Sequence, residues 1–210
     1  MSISIFYSYI SEKYHASFVN KYLPLFSKDF QSRILRFRKW QDAQLSLLGW
    51  LLLVNGMERY KLRFNEKKLR YGPYGKPYFL NEGVKFNISH SGCCAICAVS
   101  IDFKIGIDVE KISDLNFGEF KGQMTIKELD KFKNSSNSKV AFFEYWTQKE
   151  AILKASGVGL SKDLKSFEVL NNKTKIGHEH FFLREIKFNP RYKCHLAIVG
   201  HDSESFQLPS

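Results

Sequence analysis

The stretch "KIGIDVEKI", residues 104 to 112, sets two carboxylates two residues apart in a segment that otherwise has the make-up of a buried strand. Alternate side chains of a strand share a face, so Ile105, Ile107 and Val109 point one way while Gly106, Asp108 and Glu110 point the other. Gly106 leaves room on the carboxylate face for a ligand or another backbone. A half-buried strand with a solvated acidic face would look the same. A third acid shifts the balance: in "KVAFFEYWTQKEAILKAS", Glu150 follows Trp146 by four residues and Phe143 by seven. That puts it on the apolar stripe of a helix, where a carboxylate is costly unless a cation or metal meets it. Lys154 lies one turn further along that face, and a surface Glu150–Lys154 pair would not explain why the two continue a stripe of Phe and Trp. Asp108, Glu110 and Glu150 together could supply the oxygen ligands that Mg²⁺ prefers, with water and substrate phosphates completing an octahedron. The chemistry expected of such a site is phosphate chemistry.

A complementary anion grip is expected at "FNISHSG", residues 86 to 92, where Ser89, His90, Ser91 and Gly92 at a strand-end turn offer hydroxyl, imidazole and backbone N–H donors. A serine-rich hairpin turn without function has the same composition. Lys76 in "YGKP" and Arg33 and Arg36 on the first helical segment have a solvated-surface reading each; the combination carries the argument.

The elements that must position these groups follow from periodicity. "MSISIFYSYI" reads as a first strand rather than a leader peptide. Residues 27 to 60 have helical spacing, with Ile34, Phe37, Leu45, Leu48 and Leu52 on one broad face, and "GPYGKP" ends it. "KFNIS", "CCAICAVS" and "KIGIDVE" are expected as three successive strands of an antiparallel meander, with "HSG" and "IDF" as turns. Thr125 and Glu128 have the spacing of a capping box at the start of a helix. The Glu150 helix follows and ends at Gly157 and Gly159. Strands are expected at "SFEVL", "HFFLREIKF" and "CHLAIVG". Each half thus runs from helix to antiparallel strands, which predicts an α+β fold of two similar lobes meeting near residue 105, with a ligand between them.

The 210 residues, 44% hydrophobic, suffice for one large domain or two small ones. The apolar run "LSLLGWLLLV" is about half of the ~20 residues a membrane span needs, so no membrane association is expected and the cytoplasm is the default. Thirty-two Lys and Arg against 21 Asp and Glu leave +11, which suits a polyanionic partner. The basic residues form no long block, so direct nucleic-acid binding is not expected. Cys93, Cys94, Cys97 and Cys194 give no disulfide framework, and the CxxC of Cys94 and Cys97 sits among Ala, Ile and Val, as buried reduced thiols do.

"YGKPYF", "FNISHSG", "GIDVE" and "WTQKEAILKASGVGL", in this order and spacing, resemble the Sfp-type 4′-phosphopantetheinyl transferases, the two-lobed branch of that family. The likeness runs from "RILRFRKWQDAQLSLLG" to "YKCHLAIVG". It implies a pseudo-dimeric fold, lobes 1–104 and 105–210 with the active site between them, in a monomeric enzyme. It also implies transfer of the phosphopantetheine arm of coenzyme A to a serine of an apo acyl or peptidyl carrier protein, releasing 3′,5′-ADP. By the resemblance, Asp108, Glu110 and Glu150 hold Mg²⁺ on the pyrophosphate, Ser89 and His90 meet the 3′-phosphate, and Lys76 contacts the nucleotide. Arg33 and Ser46 fall near further phosphate-binding positions, Lys154 reaches the pyrophosphate, and Glu128 matches a family acid, although capping its own helix explains that residue equally. Phe30 stands where family members have a lysine, with Lys28 the neighbouring substitute. Lys149 points about 100° away from Glu150 and reads equally as a structural or carrier-contacting lysine or as a phosphate contact.

Overall fold

The computed structural model describes residues 2–114, 117–159 and 163–200; Met1 and residues 201–210, which the expected lobes include, lie outside these. The chain forms β1 (Ile3–Tyr9), α1 (His15–Tyr22), α2 (Lys28–Leu35) and α3 (Trp40–Arg59). A short hairpin of β2 (Leu69–Tyr71) and β3 (Pro77–Phe79) follows, then β4 (Lys85–Ser91) and β5 (Cys94–Ser100). After residues 101–104 come β6 (Ile105–Lys111), α4 (Ile126–Lys133), α5 (Ser138–Ser156), β7 (Lys173–Ile176), β8 (Glu179–Glu185) and β9 (Tyr192–Gly200).

Two antiparallel sheets result, ordered β1-β5-β4 and β6-β9-β8-β7. Alternation along β5 explains their stacking. Ala95, Cys97 and Val99 pack with Leu47, Leu53 and Met57 of α3, whereas Cys94, Ile96 and Ala98 pack with Ile105, Ile107 and Val109 of β6. On the far side of the second sheet, Ala197, Phe181 and Leu183 pack with Ala151, Ile152 and Ala155 of α5. The order of layers is therefore α3, first sheet, second sheet, α5, and the whole of β5 is buried because it is covered on both faces. Cys94 and Cys97 point to opposite faces of β5, so their CxxC cannot chelate, and burial pushes the Cys94 thiol up to about 12.

Several expected elements need correction. β6 does not continue a meander with β5; it leaves for the second sheet and pairs with β9. Both faces of β6 have to be covered, and this is met by stacking one sheet on the other instead of extending the first. Residues 27 to 60 form two helices, since the backbone at Lys39 is extended (φ −100°, ψ 131°), and Phe37 between them is exposed instead of facing the core. "HSG" is not the turn: β4 runs through Ser91, and the turn is Gly92–Cys93, with Gly92 at φ +58°. "SFEVL" is not a strand; a single helical turn at Leu164–Ser166 is followed by one isolated bridge from Leu170 to Lys173, and the strand falls at β7. The capping box is present in full, Thr125 Oγ1 accepting from the Glu128 N–H and the Glu128 carboxylate accepting from the Thr125 N–H.

Candidate active site

The carboxylate strand and the α5 stripe meet at Gly106. A Cβ there would stand 2.2 Å from the Ala151 carbonyl oxygen and 2.3 Å from the Ala155 nitrogen, so the glycine admits another backbone, that of α5, rather than a ligand. This close approach brings Glu150 and Lys154 over the face that carries Asp108 and Glu110. Gly106→Ala must push the helix off the strand. The expected outcome is a loss of about 1–3 kcal/mol of stability, measured by urea denaturation, and a greater proportional loss of activity.

Asp108 and Glu150 are both buried. Asp108 Oδ1 accepts from Lys154 Nζ at 2.5 Å and from the Ser89 hydroxyl at 3.0 Å. Glu110 Oε2 accepts from the Ser91 hydroxyl at 2.5 Å. Asp108 Oδ2 and Glu150 Oε1 are buried without a hydrogen-bond partner among the described residues. Burial raises the pKa of Glu150, with Lys154 opposing and Asp108 reinforcing the shift. Burial also raises Glu110, against the Ser91 hydrogen bond and with Asp108. Desolvation penalises the charged form, and the two oxygens leave acceptor capacity near Lys154 that a cation could take up. The donors are all oxygen, which suits a hard divalent ion such as Mg²⁺. Among the described residues no three acidic, histidine or cysteine side chains are already gathered to hold a metal, and Asp108 takes its positive partner from Lys154.

The other expected residues are distributed differently from their sequence grouping. Ser89, His90 and Ser91 lie within β4, not in a turn, so Ser89 and Ser91 face β6 while the exposed His90 faces the other way. Although its side chain reaches the surface, His90 has its pKa lowered by desolvation from the protein packed around it and then by the Lys154 charge. Ser89 is buried, and its hydroxyl donates to Asp108 and accepts from Lys154 Nζ and the Val109 N–H, which uses one donor and two lone pairs. It has nothing left for a 3′-phosphate. Lys76 Nζ is turned inward to the carbonyls of Ile105 (3.1 Å) and Lys154 (2.5 Å), and burial, with the Lys104 charge adding, lowers it to about 8. Arg33 donates to the Tyr71 hydroxyl at 2.9 Å and stacks over Phe30. It lines a cavity of about 440 Å³ with Ser27, Phe30, Glu66, Lys67 and Tyr71. Phe30 is itself a core residue stacked on Phe26, and Lys28 is exposed at the start of α2. Ser46 is partly buried on α3. Glu128 is not in the carboxylate group; its second oxygen pairs with Lys149 Nζ at 2.7 Å.

Sequence reasoning missed His195, Thr147, Asn87 and the pairing role of Ser91. His195 lies directly opposite Asp108 in the β6–β9 register, buried, with Nδ1 2.7 Å from Thr147 Oγ1. Burial lowers it to about 4, so it is neutral at physiological pH and holds α5 without adding charge beside the carboxylates. A register between strands 87 residues apart has no local signal. The alternation of Asn87, Ser89 and Ser91 with Phe86, Ile88 and His90 was visible and marks the face that meets β6.

A family model described as the 4′-phosphopantetheinyl transferase superfamily matches residues 104–208, and one described as the N-terminal part of 4′-phosphopantetheinyl transferase matches residues 15–102. The chain belongs to the 4′-phosphopantetheinyl transferase superfamily. It is an enzyme of that transferase class, with the mixed α and β architecture expected of it. The 4′-phosphopantetheinyl transferase gsp of Aneurinibacillus migulanus is 38% identical over 154 residues, which cover 71% of this chain and 63% of that protein. The transferase ffp of Bacillus subtilis is 30% identical over 189 residues, covering 84% of this chain and 83% of that protein. The transferase Sfp of Bacillus subtilis (strain 168) is 28% identical over 193 residues, covering 87% and 86%. Among the described residues no helix of this transferase is long and apolar enough to cross a membrane.

Proposed function

We propose that the protein moves the 4′-phosphopantetheine arm of coenzyme A onto a serine of an apo acyl or peptidyl carrier protein, giving the holo-carrier and 3′,5′-ADP. The observation that carries this reading is the pair of buried oxygens on Asp108 and Glu150 that no described residue bonds, gathered with the Lys154 ammonium on one face. In the reaction the serine oxygen attacks the phosphorus that bears the pantetheine arm, and the bond from that phosphorus to the bridging oxygen breaks. The electron pair leaves with 3′,5′-ADP, and the serine proton must go to a base. Glu150 is assigned that proton, directly or through a bound water, because it is a buried carboxylate beside Asp108 with one oxygen that no described residue bonds. Lys154 is assigned the negative charge that grows on the leaving diphosphate oxygen, where a fixed ammonium stabilises the transition state more than the ground state.

Asp108, Glu110 and Glu150 would hold Mg²⁺. When bound, the ion supplies charge neutralisation on the pyrophosphate. The reading further assigns residues 1–104 and 105–210 to two lobes, with Arg33, Ser46 and His90 on the coenzyme A side and the Lys76 ammonium, engaged by the Ile105 and Lys154 carbonyls, holding β6 and α5. Since the Ser89 hydroxyl is fully engaged, its part is to hold Asp108 and Lys154. A monomeric protein acting in the cytoplasm, without nucleic acid or membrane, completes the proposal. The +11 charge supports an anionic cofactor and an acidic carrier surface.

The test is intact-mass spectrometry of apo acyl and apo peptidyl carrier proteins incubated with the enzyme, coenzyme A and Mg²⁺. The expected result is a gain of one phosphopantetheine arm, lost in EDTA, restored by added Mg²⁺ and absent with Asp108→Ala. Asp108→Ala is also expected to lose the Mg²⁺-dependent rise in Tm of the wild type. A protein that binds coenzyme A yet modifies no carrier would overturn the reading.

A further inference from the structure

Among the described residues no strand pairs with the edge of β6 that faces away from β9, although β4 runs beside it in the same direction. Side chains fill the gap instead. The Ile107 N–H donates to Asn87 Oδ1 at 2.7 Å, the Val109 N–H to Ser89 Oγ at 3.3 Å and the Lys111 N–H to Ser91 Oγ at 3.1 Å, each pair 20 residues apart. One step before them, the Ile105 carbonyl accepts from Lys76 Nζ at 3.1 Å. Four backbone groups along this edge, on residues 105, 107, 109 and 111, are thus satisfied by four side chains from the N-terminal half. Buried N–H groups left open cost about 1–3 kcal/mol each, so these partners are required, but ordinary strand pairing would have met the same need.

The difference lies in the linkage and in what the hydroxyls do next. Paired strands lie about 4.8 Å apart and bond through their backbones, whereas here β4 reaches the β6 backbone through an amide and two hydroxyls. Ser89 accepts from Val109 and donates to Asp108; Ser91 accepts from Lys111 and donates to Glu110. Each hydroxyl therefore fixes the strand and aims the neighbouring carboxylate in one arrangement. A slip of one residue would turn both acids to the wrong face. Lys76 extends this to the helix, since its ammonium also takes the Lys154 carbonyl near the α5 C-terminus, where a cation is favoured by the helix dipole.

We propose that this side-chain zipper sets Asp108 and Glu110 in register with Glu150 and Lys154, and that Asn87 and Lys76 are positioning residues for the transfer step. The hydrogen bonds of Asn87 Oδ1 and Lys76 Nζ go to backbone groups, so their effect on chemistry passes through β6 and α5. The kinetic part of the proposal rests on the transferase reading above; the structural part does not.

Asn87→Leu keeps the branching and the number of side-chain heavy atoms and removes the acceptor. Amide hydrogen exchange followed by NMR, which needs no substrate, is expected to quicken at least tenfold at Ile107 and Val109 in the folded variant and to be restored by Asn87→Asp. With carrier and coenzyme A, kcat is expected to fall about tenfold or more while the KM for coenzyme A stays within about twofold, since displacement of a reacting group by ~1 Å costs up to about a hundredfold. Lys76→Met is the second variant, should Asn87→Leu not fold. It is expected to lower kcat and spare coenzyme A affinity, with Lys76→Arg recovering most of the rate; weakened coenzyme A binding at unchanged kcat would instead return Lys76 to the nucleotide. Unchanged exchange in Asn87→Leu overturns the zipper, and quickened exchange with wild-type kcat overturns its role in catalysis. A wild-type protein that transfers nothing defeats the transferase reading, and the exchange data then still decide the zipper.

Discussion

Glu150→Gln is expected to lower kcat by about 10²–10⁴ while leaving the protein at least as stable as the wild type at neutral pH. The two halves of this expectation come from one cause. Burial holds the Glu150 carboxyl above its ordinary range, and the nearby Lys154 only partly opposes this, with Asp108 adding to it. The folded protein therefore keeps a proton on this group to a higher pH than the unfolded chain does. Between the unfolded and the folded pKa the native state binds more protons, so stability falls as pH rises through that window, and the ionised side chain is a net cost at neutral pH. Glutamine removes the charge at almost the same volume. The checks are thermal denaturation in metal-free buffer at pH 7, where the Tm should equal or exceed that of the wild type, and the pH dependence of that Tm. Without metal the wild type should lose stability as pH rises through the raised pKa of Glu150, and this loss should vanish in the variant. A variant that loses activity and Tm together would mean that the carboxylate serves the fold rather than the reaction. Residues that destabilise a native state and are kept for chemistry are the ones whose removal gives this opposite pair of effects.

The same burial explains which parts of the site were legible. The alternation of Ile105, Ile107 and Val109 against Gly106, Asp108 and Glu110, and the place of Glu150 on the stripe of Trp146 and Phe143, are local patterns, and both survive in the fold. The α5 helix ends at Gly157 in the left-handed conformation, at φ +80°, as its glycine suggested. What local pattern could not give is partner choice. β6 has the make-up of a third meander strand and is committed elsewhere, because its register with β9 is fixed by residues near the other end of the chain. Ser89 looks like a phosphate ligand from its turn-like surroundings, but a strand that continues two residues further turns it into a buried link between Asp108 and Lys154. Lys76 looks like an exposed loop cation and is spent on two carbonyls more than 25 residues away. Long flexible side chains carry the least positional information in a sequence, since their heads are placed by tertiary structure. His195 and Thr147 were silent for the same reason.

Lys149→Met is expected to cost about 3–5 kcal/mol of stability with little change in kcat or coenzyme A affinity below the melting transition. Lys149 precedes Glu150 by one residue and is turned about 100° from it around the helix, toward α4 and the loop after α5. It is fully buried, pairs with Glu128, donates to the carbonyls of Leu164 and Phe167, and lies 4.3 Å from the Phe167 ring centre. Burial lowers its pKa and the Glu128 carboxylate resists that fall, so the ammonium is held by its partners and not by solvent. Removing it leaves a carboxylate and two carbonyls without their donor, which is the costly way to break a buried pair. For a chain of this size the loss corresponds to a Tm lower by roughly 6–20 °C. Glu128→Gln should cost less, because the amide oxygen still accepts from the ammonium, and the double variant should recover part of the sum, as contacting partners do. A phosphate-binding lysine would give the opposite pattern, a raised KM for coenzyme A with an unchanged Tm. The contrast with Glu150 follows from geometry alone: neighbours in sequence stand on different faces of α5, one turned to the β6 carboxylates and the other to the internal support of the helix.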